Sequence, residues 1–411
     1  MIFALAANKG STVCKFDVRT AFLYGEVDEE IYMEVPEGFN GKGKICRLIS
    51  ALYGLKQAPL CWNKRFSGFL QNLGLRPVFG EKCLFVDADH DLILAIHVDD
   101  GFIVTRVKGK MGRLVEGLQR EFEIKVCDNP EIFLGIQISL GEEGIKIHQT
   151  EFIKLMLERF GMQEANGVAT PIIEGGPVTG GSESTFPFRE AVGGLLYLCG
   201  RTRPDLAYAV NCSSRVMENP GNSDVANLKR IFRYLAGCVK RESENGNLKG
   251  IVFKNEEGLK LTAFSDADFA GDEKDRKSTT GYVIFFRGGP ISWCARKQSI
   301  IALSTVEAEF VAACECTREL VYLKGILETI SGQLVDTELH VDNQGALELM
   351  KHGNFSRRTK HIDLRFLYVH EQVKQGVVTP IYCPTASQIA DIFTKALPKV
   401  KFERFREYLI R

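Results

Sequence analysis

No apolar run in this 411-residue chain approaches the ~18 residues a membrane helix needs, so spanning helices are not expected. An excess of one charge is missing as well: 52 Lys and Arg residues meet 52 Asp and Glu. A chain-wide electrostatic coat for nucleic acid is thereby excluded, and only local basic patches remain. The 12 cysteines include no CxxC pair, which argues against a zinc ribbon and a disulfide framework. Cys314 and Cys316, the closest spacing, fit one helix. The cysteines therefore read as reduced core thiols of an intracellular protein. The opening segment Met1 to Ala7 has no basic n-region, so a secretory signal is not expected. Internal repeats are absent too. These absences lead to the expectation of a cytoplasmic or nuclear protein. What is present is ordinary globular composition, 45% hydrophobic and 25% charged, at a length that implies two or three domains.

Residues 1–163 alternate strand-like and helix-like segments. Val13 to Phe16 reads as a strand leading to Asp17, residues 60–74 as a helix stopping at Gly74, and residues 109–123 as another helix. Leu92 to Ile96 and Gly101 to Val104 read as strands around a turn at Asp99-Asp100. Phe133 to Ser139 reads as a strand, and Gln149 to Phe160 as a helix. The Gly-, Ser- and Pro-rich stretch from Ile173 to Ser182 reads as a linker. Together with the helical pattern that follows, it makes 164–255 a linker and connection. Residues 256–411 give three strands, a long helix from Leu303 to Ile330, then alternating strands and helices. That order implies a mixed sheet with helices packed on it.

Carboxylates at strand ends carry the chemistry. Adjacent acids in a hairpin are normally a solvated turn, but Asp17 also ends an apolar strand. If those strands are neighbours, Asp17, Asp99 and Asp100 converge as oxygen ligands of the kind Mg²⁺ prefers. In the last unit, Asp266 follows the first strand, Glu309 lies on the long helix, and Asp342 follows a later strand. Asp391 is expected in a helix over 387–396 whose start, Thr385 to Gln388, looks like a capping box. Each acid alone is ordinary surface charge. Together, on the elements a βββαβα sheet would bring to one edge, they are harder to dismiss as surface charge. Glu307 is about 200° around the helix from Glu309, so only one of the two faces that edge.

Phe16-Asp17-Val18-Arg19-Thr20-Ala21-Phe22-Leu23, Glu30-Ile31-Tyr32-Met33, Pro36-Glu37-Gly38-Phe39, Leu52-Tyr53-Gly54-Leu55-Lys56-Gln57-Ala58-Pro59 and Val98-Asp99-Asp100 stand in an order that resembles the reverse transcriptase of copia-type LTR retrotransposons. The resemblance implies that Asp17, Asp99 and Asp100 are catalytic metal ligands. It implies that Phe22 screens the sugar of the incoming nucleotide, with core packing as the alternative, and that Gln57 and Pro59 line the nucleotide side. Leu134 and Gly135 would belong to a hairpin gripping the primer. Departures are His97 in place of the family's Tyr, Leu60 in place of Arg, and a first Asp only 17 residues in, which leaves fingers mostly missing and weak polymerisation expected.

Ser265-Asp266-Ala267-Asp268, Leu303 to Glu309, Val341-Asp342-Asn343-Gln344, Arg358 to Asp363 and Ile389 to Lys395 resemble the ribonuclease H fused to those polymerases. That resemblance assigns Asp266, Glu309, Asp342 and Asp391 as catalytic metal ligands. Lys360 and His361 are candidate phosphate contacts, with His361 alternatively a proton donor near product release, against a plain helix cap or surface histidine. Lys395, Lys399, Lys401, Arg404, Arg406 and Arg411 form a candidate phosphate track. The implied fold class is α+β and α/β: a reverse transcriptase palm with partial fingers (1–163), a helical connection (164–255) and a ribonuclease H-like five-stranded mixed sheet with helices (256–411). The implied cofactors are two Mg²⁺ (or Mn²⁺) ions per active site. The implied partners are an RNA–DNA hybrid, an RNA template with a DNA primer, and dNTP, with no membrane. The alternative is a catalytically dead nucleic-acid-binding remnant.

Overall fold

The computed structural model describes residues 1–40, 43–174, 186–246, 249–352 and 363–411, so Lys360 and His361 lie outside the described residues. After helix α1 (Ile2–Ala6), the first unit contains β1 (Thr12–Val18), β2 (Tyr32–Glu34), β3 (Ile45–Arg47), α2 (Ala58–Asn72), β4 (Leu75–Val78), β5 (Glu81–Asp87), β6 (Leu92–His97), β7 (Asp100–Thr105), α3 (Lys108–Glu121) and β8 (Ile124–Asp128). Six of these strands form an antiparallel sheet in the order β4-β5-β6-β7-β1-β8. Alternation assigns its faces. Cys14, Phe16 and Val18 join Trp62, Phe66 and Leu70 of α2 and Leu114 and Leu118 of α3 in one core. Val13, Phe102 and Val104 pack with α1 in another.

Strands β9 (Ile132–Phe133), β10 (Ile136–Gly141) and β11 (Gly144–His148) precede helix α4 (Thr150–Arg159). The strand expected over Phe133 to Ser139 is thus broken into a hairpin. Leu134 and Gly135 both take positive φ, 49° and 74°, and Phe133 pairs with Ile136 across them. Helices α5 (Phe188–Cys199), α6 (Ala207–Ser214) and α7 (Asn222–Asn245) make the connection, and β12 (Ile251–Lys254) then pairs antiparallel with β11. One four-stranded sheet, β12-β11-β10-β9, therefore draws strands from either side of the connection.

The last unit comprises β13 (Lys260–Asp268), β14 (Thr279–Phe286), β15 (Gly289–Lys297), α8 (Thr305–Ser331), β16 (Asp336–Val341), α9 (Gln344–His352), α10 (Asp363–Lys374), β17 (Thr379–Tyr382) and α11 (Lys399–Leu409). Its sheet order is β15-β14-β13-β16-β17, with the first three strands antiparallel and β16 and β17 running parallel to β13. The fold class is thus mixed α+β with a five-stranded mixed sheet. Ser304 caps α8 by accepting the Glu307 N–H at 3.2 Å, and the Glu307 carboxylate accepts the Leu303 N–H at 2.9 Å. This resembles a capping box, but Glu307 reaches the residue before the N-cap rather than Ser304 itself. Residues 387–396 are no α-helix but 3₁₀ turns, Thr385–Ser387 and Ile389–Phe393. They wedge against β14 at Gly281, where a Cβ would come within 2.6 Å of the Thr394 methyl. The cysteines are all free, but Cys83 and Cys127 are exposed rather than core thiols. Among the described residues no helix is long and apolar enough to cross a membrane.

Candidate active sites

At one end of the first sheet, β1 and β7 bring Asp17 and Asp100 into register as direct partners. A two-residue turn, Val98-Asp99, joins β6 to β7 between paired His97 and Asp100. Val98 is β-branched yet has φ 61°, a strained conformation held by its surroundings. The Trp62 indole N–H donates to the Val98 carbonyl at 2.6 Å, and the Val18 N–H donates to the Asp99 carbonyl at 2.9 Å. The turn carrying Asp99 is therefore fixed from α2 and from the end of β1. Lys15, two residues before Asp17 on the same strand face, reaches Asp100 with Nζ 3.0 Å from Oδ1. Around this end, the Phe22 ring is half-buried and lies 4.7 Å from that of Tyr53. Gln57 donates to Glu29 at 3.1 Å, and Pro59 opens α2. Leu134 and Gly135 form the hairpin tip, where the Tyr197 hydroxyl donates to the Leu134 carbonyl at 3.1 Å.

The second site is more enclosed. Asp266 lies within β13, two residues before its end rather than after the strand, Asp342 follows β16, and Glu309 projects from the first turns of α8. Ligand oxygens of these three acids lie within 4.8 Å of one another. Asp17, Asp99 and Asp100 form no such group. Asp266 is 2% exposed and Glu309 4%. Burial, with Asp266 and Asp342 adding repulsion, pushes the Glu309 carboxyl up to about 10. Burial pushes Asp266 up to about 7, against the pull of Lys395. Asp342 is raised too, chiefly by burial. Glu309 Oε2 is buried without a hydrogen-bond partner. Clustered carboxylates held this far above their ordinary range, with an unpartnered oxygen among them, fit a hard divalent cation.

Asp391 sits beside Asp266 but outside the three-acid group. Lys395 Nζ lies 2.6 Å from its Oδ1, and Lys401 pairs with Oδ2. Burial raises its pKa, but the bonds from these two lysines outweigh burial and leave it below its ordinary value. Lys395 and Lys401, expected on an outward phosphate track, are turned inward because Asp391 is wholly buried and needs countercharge. Thr394 donates to Asp266 at 2.5 Å, and Gln388 donates to the Ser265 carbonyl at 3.0 Å. Periodicity gave no sign of these orienting roles, because Thr394 and Gln388 act from irregular backbone.

The family described as reverse transcriptase (RNA-dependent DNA polymerase) matches residues 1–174. The retrovirus-related Pol polyprotein from transposon TNT 1-94 of Nicotiana tabacum is 36% identical, covering 99% of this chain and 31% of its own. The corresponding polyprotein from transposon RE2 of Arabidopsis thaliana is 34% identical, covering 98% and 28%. The chain thus spans less than a third of the length of these relatives. Among solved structures, the N-terminal ribonuclease H domain of a Mycobacterium tuberculosis protein aligns at 12% identity and a TM-score of 0.26, over 36% of this chain and 98% of that one. With about a third of its residues identical to plant transposon polyproteins along nearly its whole length, the chain belongs to the Pol polyproteins of copia-type retrotransposons, and its residues 1–174 are a reverse transcriptase domain.

Proposed function

We propose that the chain is the reverse transcriptase and ribonuclease H portion of such a polyprotein, and that residues 256–411 hydrolyse the RNA strand of an RNA–DNA hybrid. The observation that carries this reading is the convergence of Asp266, Glu309 and Asp342 from β13, α8 and the end of β16. These residues would hold Mg²⁺ or Mn²⁺, with Asp391 as the fourth acid. Two such ions, when bound, supply an activated water and countercharge for the departing 3′ oxygen. The chain's own part is preorganisation. Thr394 fixes one oxygen of Asp266, and Lys395 and Lys401 hold Asp391 in place. Burial keeps the carboxylates from being spread by water, so their repulsion is relieved chiefly by a cation or a proton. Glu309 gives up its proton when the site is loaded.

In the same reading, Asp17, Asp99 and Asp100 serve the polymerase, with RNA template, DNA primer and dNTP as partners. Phe22 flanks the nucleotide, Gln57 and Pro59 line its side, and the Leu134-Gly135 turn meets the primer. The Lys15 contact to Asp100 must yield for metal to bind there, so primer extension is expected to be the weaker activity.

The test is cleavage of a labelled RNA–DNA hybrid in Mg²⁺ by the native chain and by Asp342→Asn. Cutting that needs the metal and disappears in the variant supports the nuclease. A well-folded native protein that does not cut leaves a nucleic-acid-binding remnant as the better description.

A further inference from the structure

The far ends of both sheets, away from both acid groups, enclose a cavity of about 440 Å³. Thr105 and Arg106 line it from the end of β7 opposite Asp100, and Leu259 lines it from the end of β13 opposite Asp266. Asn8 and Lys9, after α1, and Asn255, after β12, complete much of the wall. Arg287 also lines this cavity and is only 8% exposed. Its Nη1 donates to the Asn8 amide oxygen, and its guanidinium lies 5.2 Å from the Phe286 ring centroid. Both contacts are with uncharged groups. Its Nε is buried with no hydrogen-bond partner among the described residues. Burial, reinforced by Arg106, pushes its pKa down to about 10 against the weaker pull of Glu256, which itself pairs with Lys254 at 3.5 Å.

The backbone sharpens the point. Arg287 and Gly288 form the two-residue turn between β14 and β15, with φ 51° and 73°. Such a turn favours Asn-Gly, so an arginine there is strained and local geometry gives no reason for it. The side chain is the feature that needs a partner. Of the acids facing the cavity, Asp89 and Asp91 are engaged by Lys110 at 2.8 and 3.3 Å, which leaves Glu257 against Lys9, Arg106 and Arg287.

We propose that this cavity binds a phosphate group, with Arg287 as its buried anchor and Lys9 and Arg106 at its rim. The guanidinium offers planar donors matched to phosphate oxygens, and an oxyanion would satisfy Nε. The group arrives either on a free phosphate compound or in a nucleic-acid backbone.

Thermal denaturation of the full chain tests the proposal. Inorganic phosphate, pyrophosphate and a short single-stranded DNA are each compared with NaCl at equal ionic strength. The expected result is a rise in Tm of about 3 °C with at least one of them. In Arg287→Asn that rise disappears, while the variant in NaCl melts no lower than the native chain, because asparagine suits the turn. Phosphate or pyrophosphate acting alone identifies a free phosphate compound, and a response to the oligonucleotide alone identifies a backbone phosphate. Should Arg287→Asn fail to fold, the double variant Lys9→Gln, Arg106→Gln carries the test, with the rise cut at least twofold. No response to any of the three, or an undiminished response in the variants, overturns the proposal.

Discussion

At the residue scale, Glu309 and Asp266 are poised against the stability of the fold. Both carboxyls titrate above their unfolded values, which lie near 4. The stability they contribute is complete below that value. It is lost as pH rises through about 7 for Asp266 and onward to about 10 for Glu309. In chelator at about pH 8, Glu309→Gln should therefore melt several degrees above the native chain, a gain of about 1–3 kcal/mol. At about pH 4 the two should melt together, because the native carboxyl is already neutral. Mg²⁺ should raise the native melting temperature at pH 8 and leave the variant nearly unmoved. The same substitution should lower hybrid cleavage by about a thousandfold or more. Differential scanning fluorimetry across pH, with and without Mg²⁺, checks the first part, and a cleavage assay checks the second. A variant less stable than the native chain at pH 8 would mean that Glu309 is held by structural bonds. These acids were legible in the sequence because each lies near a strand end or borders a helix stripe. Lys395 and Lys401 were not, because sequence shows their charge but not which way they turn.

The elements explain where legibility stopped. Apolar residues at helical spacing revealed α2, whose apolar face meets a sheet, whereas α8 is buried on nearly every side in its first half. The segment bearing Asp391 has a helical pattern but forms a 3₁₀ turn, because its shape is set by β14 rather than by its own propensity. Gly281 is the residue that admits it: a methyl there would lie 2.8 Å from the Phe393 Cβ and 3.0 Å from the Ala390 carbonyl. Gly281→Ala should push the Ile389–Phe393 turn off the sheet and take Asp391 out of line with Asp266. The expected loss is about 1–3 kcal/mol of stability, with hybrid cleavage reduced at least tenfold while primer extension is unchanged. The β9-β10 hairpin makes a parallel case. Gly135 has φ 74°, and a Cβ there would stand 2.5 Å from the Tyr197 hydroxyl. Gly135→Ala should strain the turn, displace Tyr197 from the Leu134 carbonyl, and impair primer extension more than hybrid cleavage. Equal losses of both activities would assign that glycine to general stability instead.

The chain as a whole is tied more closely than its succession of units suggests. Strand pairing between β11 and β12 joins residues more than a hundred positions apart, and local pattern carries no information about such partners. One continuous core runs from Phe3 through Ile147, Leu195 and Leu235 to Phe310 and Ile410, so the units share apolar surface. Buried with it is an ion pair, Arg203 with Asp205, bonded through two nitrogens at 2.9 and 2.7 Å. The Tyr234 hydroxyl of α7 donates to Asp205 at 2.7 Å, and Arg406 of α11 reaches that hydroxyl at 3.5 Å. The sequence pattern predicts only a helical connection around Arg203, Asp205 and Tyr234, and it puts Arg406 on an outward basic track, whereas Arg406 turns inward to Tyr234. Their placement makes them a clamp between the connecting helices and α11, the last helix of the chain. Removing one partner strands the other charge away from water, which costs about 3–5 kcal/mol. Asp205→Ala should therefore destabilise the intact chain by that amount. Because the core is shared, the loss should appear as one calorimetric transition moved to lower temperature, not as an early melting of the connection. Two separated transitions in the native chain would show that the shared core does not couple the units. A single transition, lowered by a change in the connecting helices, would mean that the first and last units keep or lose their folds together.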